Sequence, residues 1–411
     1  MSEHSPEAES DLARATSIDR ADVYKGGLLA AHLTRTSGDE IEFAYTAQWL
    51  AQGGDPVAST LPLSAAPVTT RGGAVPTYFA GLLPEGRRLT ALRASVKTSA
   101  DDELSLVLGI GADTVGDVRV VPEGEPLTAV EPLLTLSSFA QADFSEVLRS
   151  IGVRADRVGL AGVQDKVSAA MLTLPVATAG SSFLLKLNPP EFRHLVENEA
   201  FFIAAAREAG ISTVTADLVH DRAGATGLAV TRFDRLGVDG ATTSLAVEDG
   251  CQVLDLHPAS KYRVSTETLL AALSARCEAP RPAAMEFLAQ IAFAYLSGNG
   301  DAHAKNFSIL RDASGRWQPS PAYDLPSSQV YGDSTMALSL GGRRDGNLSR
   351  ARFAALGDSL GLGARTIDRT LTRVADSADH WLDGVGLLPF EAGRLTKLKR
   401  VIAHRQALLR G

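Results

Sequence analysis

Cysteine is nearly absent: Cys251 and Cys277 are the two in 411 residues. Two thiols with no metal-type spacing exclude a disulfide scaffold and a zinc motif, and both read as reduced. A long apolar run is missing as well. The most apolar helical stretch, 284–297 (AMEFLAQIAFAYLS), is too short to span a bilayer and carries Glu286 and Gln290. There is no excess of basic charge: 40 Lys and Arg face 48 Asp and Glu, a net charge of −8. That balance speaks against a surface that coats nucleic acid and leaves room only for a local basic patch. Residues 1–20 lack the basic start and apolar stretch of a secretory signal and read as a disordered tail. With 45% hydrophobic and 21% charged residues, the expectation is a cytoplasmic globular chain of two or three domains, with no membrane partner.

Patterning divides the chain further. Residues 23–34 and 40–45 read as two strands joined at Ser37-Gly38-Asp39, with Ile41, Phe43 and Tyr45 alternating against Glu40, Glu42 and Ala44. The stretch 51–76 is irregular, a helix is expected after Leu83-Pro84 with Pro84 in its first turn, and 109–122 reads as a glycine-rich turn feeding a strand. The middle reads as strands at 167–174, 182–187, 214–220 and 227–233, with a helix over 195–209 closed by Gly210. From about 266 onward the pattern is helical, broken by a hairpin near 307–318, and 350–410 reads as three helices. The expected domains are a β-rich unit at 21–125, a mixed α/β region at 126–255 and a helical region at 256–411. No internal repeat or low-complexity segment is visible.

The chemistry concentrates in 298–310, Gly-Asn-Gly-Asp-Ala-His-Ala-Lys-Asn-Phe-Ser-Ile-Leu. Asp301 and Asn306 stand five positions apart. Phosphotransferases use that spacing for a carboxylate that accepts a hydroxyl proton and an amide oxygen that holds Mg²⁺. The hairpin expected after Asn306 would return Asp324, in Pro-Ala-Tyr-Asp-Leu, beside it, and carboxylate and amide oxygens suit a hard cation. Lys186 ends the apolar run Phe183-Leu184-Leu185, where a lysine needs a reason. On the next helix Glu199 falls within the stripe of Val196, Ile203 and Ala206, so an ion pair with Lys186 would satisfy both groups. Upstream, Gly159-Leu-Ala-Gly162-Val-Gln-Asp-Lys166 could form a loop whose backbone N–H groups meet phosphates. Taken alone, Gly-Asn-Gly-Asp is also ordinary turn chemistry, Lys186 could snorkel from a strand end, His303 could simply pack its loop, and Asp234 with Arg235 could be a structural ion pair.

Loop, strand lysine, helix glutamate, Asp, Asn and Asp follow one another in the linear order of kinases. With Tyr78–Arg87 (YFAGLLPEGR), AGVQDK at 161–166, Arg232-Phe233-Asp234-Arg235, Glu248-Asp249-Gly250-Cys251-Gln252, Lys261-Tyr262 and 321–325, the sequence resembles the HipA family of serine/threonine kinases, toxins of bacterial toxin–antitoxin pairs. The resemblance runs from about residue 21 to the C-terminus. It implies an α+β, protein-kinase-like two-lobed fold with an extra β-rich N-terminal subdomain and a helical C-terminal lobe. It implies that Asp301 is the catalytic base and that Asn306 and Asp324 hold Mg²⁺. An ATP site would be lined by Ala161, Gly162, Val163, Gln164, Asp165, Lys166, Lys186, Thr231, Arg232, Phe233, His303, Ala304, Lys305, Asn306, Tyr323 and Asp324. The family phosphorylates protein substrates, the best known being glutamyl-tRNA synthetase, and halts growth. A helix-turn-helix antitoxin neutralises the toxin, and DNA is reached through that complex.

The chain departs from the family pattern at two places. Gly159 stands where family members often carry a serine whose autophosphorylation silences the kinase, and Thr231 stands where a Glu is common. Three other readings compete. One is a catalytically weak kinase-fold co-repressor. Another is a serine hydrolase on Ser359, because 357–361 fits G-x-S-x-G, although the helical Ala351–Leu356 before it favours a helix end. The third concerns the glycines of 109–116, which fit neither a P-loop nor a dinucleotide motif once context is required. The stretch 394–410 has six Lys or Arg and no acid, a solvated helix face or a DNA contact within a repressor complex.

Overall fold

The computed structural model describes residues 15–111, 113–127, 138–146, 172–178, 181–189, 191–238 and 241–411. The chain divides into two units, Met1–Glu131 with Ser244–Ala259, and Pro132–Thr243 with Ser260–Gly411.

The first unit is built on an antiparallel sheet in the order β4-β3-β2-β1-β5. Its strands are β1 (Arg20–Lys25), β2 (Leu28–Thr36), β3 (Glu40–Tyr45), β4 (Val68–Thr70) and β5 (Val118–Pro122). The sequence suggested one strand over 23–34; the chain instead reverses within it. Gly26 and Gly27 take φ of 56° and 86°, which glycine adopts without a Cβ clash, and they turn β1 back onto β2. The inward row Ala21, Val23, Leu33, Ile41, Phe43, Val118 and Val120 packs against Tyr78 and Phe79 of α2 (Thr77–Leu82) and Leu104 and Val107 of α4 (Glu103–Ile110). Between β3 and β4 lies the short α1 (Ala47–Ala51), capped by the Thr46 hydroxyl on the Trp49 N–H. Pro84 falls before the N-cap Glu85 of α3 (Gly86–Val96), not in its first turn: a separate helix α2 already occupies 77–82, and the proline joins the two.

The returning segment Ser244–Ala259 is stitched into this unit by buried polar groups. The Glu248 carboxylate accepts from the Ser59 N–H at 2.9 Å and the Ser59 hydroxyl at 2.6 Å. Asp249 caps the helical turn Gly250–Val253, and Gln252 donates to the Tyr78 carbonyl at 3.0 Å. A Cβ at Gly81 would lie 2.7 Å from Cγ of Gln252, so a side chain there would have to displace Gln252. His257 meets Glu103 at 2.9 Å.

The second unit holds a four-stranded antiparallel sheet in the order β6-β7-β9-β8. Its strands are β6 (Leu172–Thr178), β7 (Ser181–Leu187), β8 (Ala216–His220) and β9 (Thr226–Thr231), and α5 (Leu195–Glu208) follows β7. Of the strand expected over 167–174, only the part from Leu172 lies among the described residues. Helix α5 closes with Gly210 at φ 70°. The helical part comprises α6 (Thr266–Arg276), α7 (Pro280–Ser297), α8 (Arg350–Ser359), α9 (Ala364–Trp381) and α10 (Ala392–Arg410), with the hairpin β10 (Ser308–Arg311) and β11 (Trp317–Pro319) after α7. Helix α7 is buried along nearly its whole length, as a helix apolar all round must be. Trp381 of α9 packs edge-on against Phe202 of α5 and Phe293 of α7. Among the described residues no helix is long and apolar enough to cross a membrane.

Glu248 is 3% exposed, so truncating it strands the Ser59 donors. Glu248→Ala is expected to lower stability by about 2–3 kcal/mol, the scale for hydrogen bonds to a buried charge. A urea titration would show it as a lower midpoint; an unchanged midpoint would mean the segment is held by something else.

Candidate active site

Strand β7 delivers Lys186 to the surface of its sheet, paired in register with Thr173 on one side and Leu228 on the other. Helix α5 turns Glu199 toward it, and Glu199 is fully buried. The ammonium donates to Glu199 Oε1 at 2.7 Å and to Asp324 Oδ1 at 3.2 Å. Burial acts to strip the proton from Lys186, but the two carboxylates outweigh it and hold its pKa above the ordinary lysine value. The Glu199 pKa is also raised: burial opposes its ionisation, Lys186 offsets part of that, and Asp324 adds repulsion. Two acids share one cation here, which favours the protonated form of both Lys186 and Glu199.

Asp324 is anchored from a second side by the Asn306 side-chain amide, which donates to Oδ2 at 2.8 Å. The backbone of Asp324 sits at φ 57°, a left-handed conformation uncommon outside glycine. Asn299 donates to its carbonyl at 3.1 Å. Strain of this kind persists only where surrounding bonds over-determine it, and it gathers at functional sites.

The loop between α7 and β10 carries Asp301, which is 2% exposed. Its conformation follows from the end of α7. Gly298 caps the helix at φ 77°. The Gly300 N–H donates to the Ser328 hydroxyl at 2.7 Å, and a Cβ on Gly300 would lie 2.6 Å from the Thr335 carbonyl oxygen. The Asp301 N–H donates to Asn299 Oδ1 at 3.0 Å. The His303 N–H reaches the Asp301 carbonyl at 2.8 Å and Asn306 Oδ1 at 2.9 Å, closing the loop into a short turn over Ala304–Asn306. Arg405 of α10, itself 2% exposed, donates to the Tyr295 carbonyl at 2.7 Å and lies over the Tyr295 ring, bracing the helix end from behind.

Lys186, Glu199, Asn306 and Asp324 therefore meet in one cluster, and Asp301 lies in the same loop as Asn306. Phe233 and Tyr323 stack on each other with centroids 5.7 Å apart, and the Tyr323 hydroxyl donates to the Lys305 carbonyl at 2.7 Å. The Arg232 guanidinium grips Asp234 through two bonds of 3.0 and 2.9 Å, with Arg235 adding a third at 2.6 Å. The Thr231 N–H donates to the Thr215 carbonyl at 2.8 Å. Ala161, Gly162, Val163, Gln164, Asp165 and Lys166, with Gly159, lie outside the described residues. Ser359 is the last residue of α8, its hydroxyl bonded back to the Leu356 carbonyl at 2.7 Å. It is a helix end rather than a nucleophile on a strand-to-helix turn.

One group at the site escaped the sequence, and for a second the motif was visible but its contact was not. Asn198 is fully buried and clasps Ser327, donating to its carbonyl at 2.8 Å and accepting from its N–H at 3.0 Å. A second polar residue beside Glu199 on an apolar helix face was the available signal. Tyr262 donates to Asp301 Oδ1 at 2.7 Å, a contact across 39 residues that no local pattern encodes.

A lysine on an antiparallel sheet, tied to a helix glutamate and facing an Asp–Asn–Asp set on a helical part, is the arrangement of a protein-kinase-like fold. The chain belongs to the HipA family: the model of the HipA-like C-terminal domain matches residues 158–382 and that of the HipA N-terminal domain residues 21–121. It is 29% identical to the serine/threonine-protein kinase toxin HipA of Shewanella oneidensis over 382 residues, 86% of either chain. It is 28% identical to Y4mE of Sinorhizobium fredii over 419 residues, covering 94% of this chain and 98% of that protein. Among solved structures it resembles the Shewanella oneidensis HipA, HipB and operator DNA complex. That match has a TM-score of 0.77 and 25% identity, and covers 95% of this chain and 96% of that one.

Lys186→Met would leave the buried Glu199 with its main counterweight gone, at a stability loss on the order of 3–5 kcal/mol near neutral pH. The sign with pH follows from the raised pKa of Glu199. The unfolded chain ionises first, so stability falls as pH rises above about 4.3. Without Lys186 the folded value rises further, so this fall extends to higher pH and the deficit against the parent should widen as pH rises from about 4.3 toward neutrality. Urea midpoints across that range test it; parallel curves would refute the coupling.

Proposed function

We propose that the protein is an ATP-dependent serine/threonine protein kinase acting as the toxin of a toxin–antitoxin pair. The observation that carries this reading is the meeting of Lys186, Asn306 and Asp324, from three separate elements, beside the loop of Asp301. In it Lys186 holds phosphate oxygens of ATP, positioned by Glu199. Asp301 accepts the proton of a serine or threonine hydroxyl while its oxygen bonds to the γ-phosphorus. The bond from that phosphorus to the β–γ bridging oxygen breaks, and ADP leaves. Phe233, Tyr323, Thr231, His303, Ala304 and Lys305 form the walls assigned to the nucleotide, and the family resemblance of Ala161, Gly162, Val163, Gln164, Asp165 and Lys166 assigns those residues to its phosphates. Arg232 serves this wall structurally, through Asp234.

The donors fit Mg²⁺. Asp324 offers two carboxylate oxygens, each with lone pairs beyond the bonds to Lys186 and Asn306, and Asn306 Oδ1 is an amide oxygen with a second lone pair. When bound there, Mg²⁺ supplies neutralisation of charge on the phosphate oxygens.

Asp301→Asn should reduce protein phosphorylation on the order of 10²–10⁴-fold, the range for a general base. Nucleotide binding should persist. The measurement is transfer from labelled ATP to lysate proteins, with an aminoacyl-tRNA synthetase the first substrate to seek by family resemblance. Full activity in Asp301→Asn would overturn the assignment, and Mg-ATP binding without transfer in the parent would favour the co-repressor reading.

The likeness to a HipA bound with HipB and operator DNA supports a HipB-like helix-turn-helix antitoxin as partner, with DNA reached through it. Helix α10 is largely engaged with its own fold. Arg410 pairs with Asp376 and Asp379, Lys399 donates to the Asp383 carbonyl, and Arg405 is buried, while Lys397 and Arg400 are exposed. In a gel-shift assay the isolated chain should leave operator DNA unshifted, and adding the antitoxin should shift it. A shift by the chain alone would contradict this division.

A further inference from the structure

We propose that Tyr262 is the positioning residue of the phosphotransfer loop: its hydroxyl sets the orientation of the Asp301 carboxylate. This rests on the reading of Asp301 as the base. A carboxylate only 2% exposed requires donors, since buried charge without them is heavily penalised. Tyr262 supplies one at 2.7 Å on Oδ1, a charge-assisted bond of the stronger kind.

The tyrosine is held for this task from several directions. The Ala304 N–H, in the catalytic loop itself, donates to the Lys261 carbonyl at 3.2 Å, so the backbone carrying the ring is bonded to the loop that the ring serves. Arg344 donates to the Tyr262 carbonyl from a segment 82 residues further on. The His303 ring meets the Tyr262 ring edge-on, with centroids 5.1 Å apart. Lys261, 9% exposed, places its ammonium 5.2 Å from the ring centroid. A phenol on a two-torsion stem, fixed at its backbone and at its ring, delivers its hydroxyl with little freedom left to lose. The base can then meet a substrate hydroxyl in a single orientation, which is the entropic part of the barrier.

The experiment is a double-mutant cycle. Tyr262→Phe keeps the ring and removes the hydroxyl. It should lower kcat for phosphoryl transfer on the order of tenfold, about one lost charge-assisted hydrogen bond, with KM for ATP unchanged. In an Asp301→Asn background, read by single-turnover transfer, the same change should have no further effect, because residues that act as a unit are not additive. A merely structural role would multiply the loss equally in both backgrounds, and that result overturns the inference, as would an unchanged kcat in Tyr262→Phe. An active Asp301→Asn would instead sink the kinase reading beneath it, so the two failures are distinct. Should Tyr262→Phe fail to fold, Arg344→Ala, which releases the Tyr262 carbonyl, takes its place in the same cycle and is judged by the same two outcomes.

Discussion

A lysine ammonium taken out of water must be met by charge. Here it is met twice, by Glu199 on a helix and by Asp324 on a loop. Much of the second unit is arranged around that demand. Strand β7 cannot slip by one residue, because a slip would turn Lys186 to the other face of the sheet. Helix α5 is held in rotation, because among the described residues Lys186 is the cation paired with Glu199. The loop at Asp324 accepts a left-handed backbone because its carboxylate is claimed from two sides, by Lys186 and Asn306. Buried ion pairs contribute little net stability, but breaking one is costly, and that asymmetry favours a single geometry.

The Asp301 loop is made rigid by different means. It hangs from the end of the buried helix α7, where Gly298 turns the chain and Arg405 occupies the Tyr295 carbonyl. Side-chain amides do much of the remaining work: Asn299 reaches both Asp301 and Asp324, and Asn306 reaches both His303 and Asp324. Each amide joins two parts of the site because it carries a donor and an acceptor a fixed distance apart. The chemistry therefore rests on a polar network, while apolar packing of Trp381, Phe202 and Phe293 holds the scaffold behind it.

In the first unit the same economy appears without a catalytic role. Glu248, Asp249 and Gln252 are close to fully buried and spend their hydrogen bonds on Ser59, a helix cap and Tyr78. Those residues lie in the stretch 248–252, one of those that carry the sequence resemblance. In this chain its evident task is to bind a segment from after the second unit's sheet back into the N-terminal unit.

Local physics was legible where it is carried by neighbours in the chain. Alternation at 40–45, the all-round apolar stretch of α7, the three C-terminal helices and the Asp301–Asn306 spacing are each settled within a dozen or so residues, and the Lys186–Glu199 pair could be inferred because each was an anomaly on its own face. Gly26-Gly27 was misread because an apolar pattern on both sides conceals a two-residue reversal. What the tertiary structure alone decided were the distant pairings. These are Tyr262 with Asp301, Asn198 with Ser327, Arg405 with Tyr295, and the return of 244–259 to the first unit. Sequence periodicity reports which face of an element is buried. Which residue waits on the other side is set by how the elements pack, and no residue carries that information alone.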